Sequence, residues 1–255
     1  MPQLLDEINL YVVAWCFFAL FCGGLIKGTL GVGTPLLTVP LMALVMPVQM
    51  AVALMAIPVV VANVWQASRV EQLLSVAGRF WPAFLAILAG TFIGVRVLLA
   101  IDERSLLMFV GIIVISFTLL QASSYRFNVP QAREKPAGVV FGLSSGIIGG
   151  VSSMFGPMLI IYLVSVRGLG KDRFVGAISF LYLAAVVPWA LTLYWFGILD
   201  TPMLFLSAAA TVPVAAGLII GQQFRGRVSD QRFQRLVLVV LLASGGTMLW
   251  RAFSF

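Results

Sequence analysis

The sequence predicts an all-α integral membrane protein that crosses the bilayer many times. Hydrophobic residues make up 61% of its 255 positions and charged residues only 10%, whereas about 25% of the residues of an average soluble domain are charged. Apolar runs close to the ~20 residues that a helix needs to span a ~30 Å hydrocarbon core recur along the chain. These runs lack the alternation of a transmembrane β-strand. Because lipid cannot satisfy backbone polar groups, we expect them to be helices.

About ten apolar segments follow one another along the chain. They cover residues 8–27, 35–46, 50–68, 80–101 and 105–123, then 137–151, 156–167, 174–195, 203–224 and 232–251. The second and seventh have only about 12 residues, or about 18 Å of helix, which is too short to cross straight. Most of the 16 Lys and Arg residues lie between segments at ends that the positive-inside rule places in the cytoplasm. Ten crossings would then leave both termini outside.

Short patterns recur in the two sets of five segments. The pattern of Gly24, Gly28 and Pro35 is repeated 122 positions later, beginning at Gly146. The hexapeptide AGTFIG at 89–94 likewise resembles AGLIIG at 216–221. Because five is an odd number, the second set enters the membrane from the opposite side, as in the inverted repeats of many transporters. We predict a first transmembrane repeat at 1–124, a cytoplasmic linker at 125–136 and a second repeat at 137–255.

Two Gly-rich stretches join a long segment to a short one. The first break is GGLIKGTLGVGTP, Gly23–Pro35, and the second break is SSGIIGGVSSMFGP, Ser144–Pro157. Glycine and proline at this density are predicted to interrupt a regular helix. Unwound backbone is tolerated in a membrane only where protein or a water-filled cavity shields it, and the amides and helix N-termini exposed there favour an anion.

Glycines can instead serve close helix packing. We favour that interpretation for Gly90, Gly94, Gly217 and Gly221, and a binding site for the two breaks. The candidate substrate-binding residues share a position in or beside a break and offer a cation, a hydroxyl, an amide or free backbone. They are Lys27, Gly28, Thr29, Gly31, Gly33, Thr34, Pro35, Asn63, Ser144, Ser145, Gly149, Gly150, Ser152, Ser153, Gly156 and Pro157.

The distribution of charge favours an anion as the ligand. All nine acidic residues lie at or beyond segment ends, and the chain has no histidine, whereas a cation carrier or a proton relay normally places such a group within the membrane. Lys27 is the only charge in the first break. It either binds an anion or extends to the inner surface, and the sequence leaves both readings open. Asn63 is likewise either a pathway donor or a helix–helix hydrogen bond.

No catalytic or metal-binding group can be assembled from these segments. Without histidine or a membrane-embedded acid there is no general base for a nucleophile, so we predict no enzyme activity, no metal and no cofactor. The net charge of +7 is attributed to cytoplasmic loops and not to nucleic-acid binding. The expected partners are a small anion and the lipid bilayer. A homodimer is left open, since nothing in the sequence marks an interface.

The two breaks and the residues after the second resemble the TauE/SafE family along essentially the whole chain. The relevant residues are GPMLIIYLV (156–164) and RGLGKDRF (167–174). The resemblance implies an exporter of sulfite or a related organosulfur anion in the bacterial inner membrane, without covalent chemistry. Its Gly-rich segments correspond to 28–35 and 149–157. This chain has Ser152 to Phe155 where a run of glycines is frequent, a departure that bears on the substrate more than on the fold.

Together these features predict a secondary transporter. We expect it to export sulfite or an organosulfonate such as sulfoacetate by alternating access, with the two repeats moving around the breaks. The membrane potential, negative inside, favours anion export by ~2.3 kcal/mol per charge per 100 mV. An anion channel of the same architecture is the alternative.

Overall fold

The structure is a computed structural model that describes residues 10–30, 33–68, 73–123, 128–166, 168–169, 171–224 and 230–254. The helices are α1 (Leu10–Leu30), α2 (Thr34–Met42), α3 (Val48–Leu54), α4 (Ala56–Ala67), α5 (Leu73–Ala100), α6 (Glu103–Ala122), α7 (Glu134–Ser152), α8 (Gly156–Ser165), α9 (Lys171–Trp195), α10 (Thr201–Phe224) and α11 (Asp230–Phe253). The described residues contain no β-strand, only one isolated bridge between Val129 and Val166. The all-α prediction is therefore confirmed.

Each predicted segment corresponds to helix, and the third is divided into α3 and α4. Pro58 accounts for the division, because a proline has no N–H to donate to the carbonyl four residues earlier. Ser207 of α10 repairs the gap. Its hydroxyl donates to Leu54 O (2.9 Å) and accepts from the N–H of Ile57 (3.0 Å). The interruption is thus closed by a side chain from another helix.

Six helical stretches among the described residues are long and apolar enough to span a membrane. They are Leu10–Thr29, Val48–Ala67, Ala77–Ala100, Glu103–Ala122, Arg173–Trp195 and Thr201–Phe224. Large apolar side chains such as Trp195 (85%) and Phe205 (71%) are exposed, as expected where lipid replaces water. The short helices α2 and α8 have 9 and 10 residues. Ten crossings and the orientation of the termini stay predictions.

Two helix pairs, α1–α10 and α5–α7, approach so closely that only glycine fits between them. A Cβ built on Gly24 or Gly28 of α1 would lie within 3.0 Å of a backbone carbonyl of α10. A Cβ on Gly146 or Gly150 of α7 would do the same against α5. The contacts are reciprocal, since Gly90, Gly94, Gly217 and Gly221 meet the backbones of the partner helices. The packing role predicted for these last four glycines is confirmed.

The remaining helices complete the bundle around these pairs. The α6 helix packs on α11, α9 on α5 and α4, and α2 on α1. Segment ends are held by acidic residues, as their positions in the sequence suggest. Asp102 accepts from the N–H of Ser105, and Asp200 from the N–H of Met203. At the start of α7, Glu134 forms an ion pair with Arg79 of α5 at 2.6 Å.

The predicted linker at 125–136 is not all irregular. A 3-10 turn, Gln131–Arg133, leads directly into α7, so the helix begins inside the linker. The N–H of Val129 donates to Ser165 O at 3.0 Å, which ties the linker to the end of α8. The boundary at 124/125 lies outside the described residues, and the division into two repeats stays a prediction.

Candidate functional site at the two helix breaks

Both breaks are much shorter than the Gly-rich sequences predict. The α1 helix continues through Gly23, Gly24 and Gly28 as far as Leu30, and α7 continues to Ser152. Each stretch does interrupt the helix, as predicted, but only near its end. The physical reason is that most of their glycines serve close packing: Gly23, for example, has the side chain of Thr38 where its Cβ would be. Among the described residues of the two stretches, non-helical backbone lies at Gly33, just before α2, and at 153–155, just before α8.

Gly33 and Pro35 shape the end of the first break. Gly33 has φ 101°, a left-handed value that glycine adopts without strain. Pro35 lies in the first turn of α2, where its missing N–H costs no hydrogen bond. Gly31, another candidate site residue, lies outside the described residues.

Lys27 is buried within the protein. Its side chain is 7% exposed, and Nζ donates to Asn63 Oδ1 at 2.9 Å. On another side Nζ lies 5.8 Å from the centre of the Tyr182 ring, within the range of a cation–π contact. A lysine that extended to the surface would expose its amino group, so the burial favours the anion-binding reading.

Asn63 has both of its polar atoms engaged. While Oδ1 accepts from Lys27, Nδ2 donates to Val59 O one turn earlier in α4 at 2.7 Å. The second bond fixes the amide so that oxygen, the acceptor, faces the lysine. Asn63 therefore forms the helix–helix hydrogen bond that the sequence left open and positions the cation at the same time.

The two threonines of the first break differ in what their hydroxyls do. Thr29 Oγ1 donates back to carbonyls of its own helix, Leu25 O and Ile26 O, both at 3.0 Å. Thr34 is 2% exposed, and its hydroxyl has no hydrogen-bond partner among the described residues. An unpaired buried hydroxyl costs free energy, so Thr34 is the threonine that a ligand could satisfy.

Two serines of the second break form hydrogen bonds with the backbone around it. Ser145 Oγ donates to Phe155 O at 2.7 Å, which holds the chain folded back against α7. Ser152 Oγ donates to Ile148 O at 2.6 Å and accepts from the N–H of Met154 at 3.3 Å. Both hydroxyls already have protein partners. Ser144, the third candidate here, is only half-buried.

Aromatic rings fill the space beside this break. The Phe155 ring lies directly over Gly149, where it occupies the position of a Cβ. It meets Trp189 edge to face, with ring centres 5.9 Å apart, and Trp189 Nε1 donates to Gly150 O at 3.3 Å. Gly149 thus admits an aromatic ring, where the corresponding position of the first break has the charged Lys27.

Ser153 combines a strained backbone with an unpaired hydroxyl. It has φ 65°, the one positive value outside glycine among the described residues, and left-handed backbone costs an L-residue roughly 1–2 kcal/mol. Its side chain is 1% exposed, and its hydroxyl has no partner in the described part of the chain. The conformation explains why glycine would be common here. Serine at this place carries two unfavourable features that a ligand contact would offset in part.

Tyr182 of α9 connects the two breaks. Its ring faces Lys27 of the first break, and its hydroxyl lies where a Cβ on Gly156 would be, at the start of α8 beside Pro157. Sequence reasoning missed this residue, because a tyrosine within an apolar segment resembles one of the interface aromatics. Its position well inside segment 174–195 was the one feature that distinguished it from an aromatic residue at the membrane interface.

The described residues of this region include one buried positive charge without a carboxylate partner. The buried charged side chains among the described residues are Lys27 and Glu134, and Glu134 is paired with Arg79. Lys27 has a neutral hydrogen-bond partner and a ring, and no carboxylate from the described residues. An ammonium buried without a counter-ion is costly, so the arrangement is suited to an anion.

Comparison with known proteins gives the family of the chain. Neither the curated proteins nor the solved structures gave a significant match. The family model for the sulfite exporter TauE/SafE matches residues 16–248, a range that contains both breaks, Lys27, Asn63 and Tyr182. The chain, an integral membrane protein with apolar helices around a buried cation, therefore belongs to the TauE/SafE family of sulfite exporters.

Proposed function

We propose that the protein is a secondary transporter that exports a small sulfur-containing anion, sulfite or an organosulfonate such as sulfoacetate, across the bacterial inner membrane. Family membership supports a membrane transporter of a small anion. The observation that carries the proposal is Lys27, a buried cation with a neutral hydrogen-bond partner. A bound anion would supply the counter-charge that the described side chains do not.

Export needs no proton coupling in this proposal. The potential, negative inside, favours outward movement of an anion by ~2.3 kcal/mol per charge per 100 mV. The one buried acid among the described residues, Glu134, is engaged with Arg79 and is not free to relay protons through the bundle. The membrane potential alone is therefore the proposed driving force.

The proposed mechanism is alternating access by two inverted repeats. Equivalent glycines support it, because they meet equivalent atoms. Gly28 lies against Leu218 O, and Gly150, 122 positions later, lies against Thr91 O, 127 positions before Leu218. The same relation holds for Gly24 with Val214 O and Gly146 with Ile87 O. The α1–α10 contact in one pair of helices therefore corresponds, residue by residue, to the α7–α5 contact in the other.

The same contacts bear on which parts would move. Each close pair joins a helix of the first repeat to a helix of the second, with backbone against backbone. Two such helices cannot slide or separate without losing many contacts. We therefore propose that α1 with α10 forms one rigid unit and α5 with α7 the other, instead of the two sequence halves moving as blocks.

Flux measurements test the transport proposal. Purified protein in liposomes loaded with radiolabelled sulfite should release it faster when a potassium diffusion potential makes the interior negative, at equal pH on both sides. Lys27→Met should reduce this flux at least about 10-fold, since a hydrogen bond to a charged group contributes about 1.5–3 kcal/mol. Lys135→Met, the same change at an exposed lysine, is the matched control and should leave the flux unchanged.

Three results would count against the proposal. Flux that required a pH gradient would contradict transport driven by potential alone. Full activity of Lys27→Met would remove the buried cation from the mechanism. Flux that did not saturate with sulfite, together with single-channel currents, would identify the anion channel instead.

A further inference from the structure

We propose that the transported species is a monoanion whose charge pairs with the Lys27 ammonium, and that dianions are rejected. This inference rests on the transporter function proposed above and names the charge class of its substrate. It follows from the count of buried charges around the breaks and from the donors that Lys27 has left.

Lys27 supplies one positive charge, and the described groups that contact it supply none. Its contacts are the neutral amide of Asn63 and the ring of Tyr182. The other buried charge among the described side chains, Glu134, is neutralised by Arg79. A monoanion beside Lys27 gives a neutral pair, whereas a dianion leaves one negative charge uncompensated in a region of low dielectric constant, which is strongly unfavourable.

The hydrogen-bond donors of Lys27 also favour an anionic ligand. An ammonium has three donors, and one is taken by Asn63 Oδ1. The Asn63 amide cannot turn to offer its N–H groups, because Nδ2 is held by Val59 O. The two remaining ammonium donors have no hydrogen-bond partner among the described residues and are available to an anion.

Neutral hydroxyls add donors without adding charge. The Thr34 and Ser153 hydroxyls, one from each break, are buried and unpaired within the described residues. A hydroxyl donates to an oxyanion but cannot compensate its charge. In the proposal these two hydroxyls lie beside the anion, so that the site would contact its oxygen atoms at several points and its charge at one, as suits a single sulfonate or hydrogensulfite group.

The inference distinguishes between sulfite and sulfoacetate, which the transporter proposal treats as alternative substrates. Sulfite would pass as hydrogensulfite, its monoanionic form. Sulfoacetate carries a carboxylate beside its sulfonate and would be rejected. An organosulfonate without a second charge would be accepted if its organic part fits between the helices.

Competition against labelled sulfite flux in liposomes tests this selectivity. The matched probes are sulfoacetate and its methyl ester, which share a sulfonate and differ by one charge, with methanesulfonate and sulfate as a second pair. The ester and methanesulfonate should inhibit sulfite efflux at concentrations about 100-fold lower than their dianionic partners, because a dianion leaves one uncompensated buried charge. The current should carry one elementary charge per sulfite exported.

Variants at position 27 complete the test. Lys27→Met should abolish inhibition by the monoanions, and Lys27→Arg, which keeps the charge, should retain part of it. Equal inhibition by sulfate and methanesulfonate, or two charges moved per sulfite, would overturn the monoanion inference while sulfite transport stood. Absence of sulfite flux in the unmodified protein would overturn the transporter proposal itself, and the inference with it.

Discussion

The two breaks share a backbone plan and differ in the side chains placed on it. Lys27 and Gly33 of the first break correspond, 122 positions later, to Gly149 and Phe155 of the second. Each break therefore has one large and one small residue at these two positions, in opposite order. In the second break the Phe155 ring lies over Gly149. In the first the large residue is a buried lysine.

The opposite order of the large and small residues shows how two repeats with the same backbone can form an asymmetric site. The glycines that bring helices together recur in both repeats, whereas the residues beside them have diverged. The first break provides a positive charge. The second provides an aromatic ring and a turn held by hydrogen bonds from two serine hydroxyls to backbone carbonyls. A site with lysine in both breaks would hold two positive charges and favour a different class of anion.

The largest effect is expected when the ring that fills the second break is removed. Phe155 is fully buried, so Phe155→Ala should lower the free energy of unfolding by about 3–5 kcal/mol, as for other buried phenylalanines. Thermal unfolding of the detergent-purified variant measures this. Phe205→Ala, at a phenylalanine that is 71% exposed, is the control. A loss no larger than that of the control would mean that the ring does not hold the break.

The next effect tests what the two breaks have in common. Gly24→Ala and Gly146→Ala each force a Cβ against a backbone carbonyl, and overpacking of this kind typically costs about 1–3 kcal/mol. We expect the two losses of stability to be similar, because the two contacts are equivalent. Gly78→Ala, with open space around its Cβ, should be neutral or slightly stabilising. If the two variants lost unequal amounts of stability, the two helix contacts would not be energetically equivalent, although their sequences correspond.

The smallest effect concerns Ser153, where strain and function are expected to oppose each other. Ser153→Gly removes the left-handed strain and the unpaired hydroxyl, and should raise the free energy of unfolding by about 1 kcal/mol. If the hydroxyl contacts the anion, the same variant should raise the KM for sulfite efflux. A variant that is both less stable and fully active would contradict both parts of this prediction.

The sequence predicted the helices well because hydropathy determines which segments lie in lipid. It placed the breaks too broadly, because glycine serves both unwinding and close packing, and Gly24, Gly28, Gly146 and Gly150 were assigned to the first role. The division of segment 50–68 at Met55 was not predicted, because the interruption is closed by Ser207, which lies in a helix about 150 positions away.

The candidate site was predicted in part. Lys27 and Asn63 could be found because a charge and an amide are conspicuous in an apolar segment. Tyr182 was missed: its depth within segment 174–195 sets it apart from interface aromatics, but nothing in that segment indicates that its ring meets Lys27 of another helix. For Ser145 and Ser152 the residue type suggested ligand donors, and only the folded chain shows that their hydroxyls bind neighbouring backbone.

The glycine contacts between α1 and α10 also determine when the protein can finish folding during its synthesis. At 5–20 residues per second, the ribosome takes about 10–30 s to proceed from the end of α1 at Leu30 to the start of α10 at Thr201. The gap between α5 and α7 takes about 2–7 s. The first helix therefore waits in the membrane with the glycine face that α10 will cover still exposed. Its dependence on lipid or on the insertion machinery is greatest in that interval, and α1 becomes one of the last helices to be locked in place.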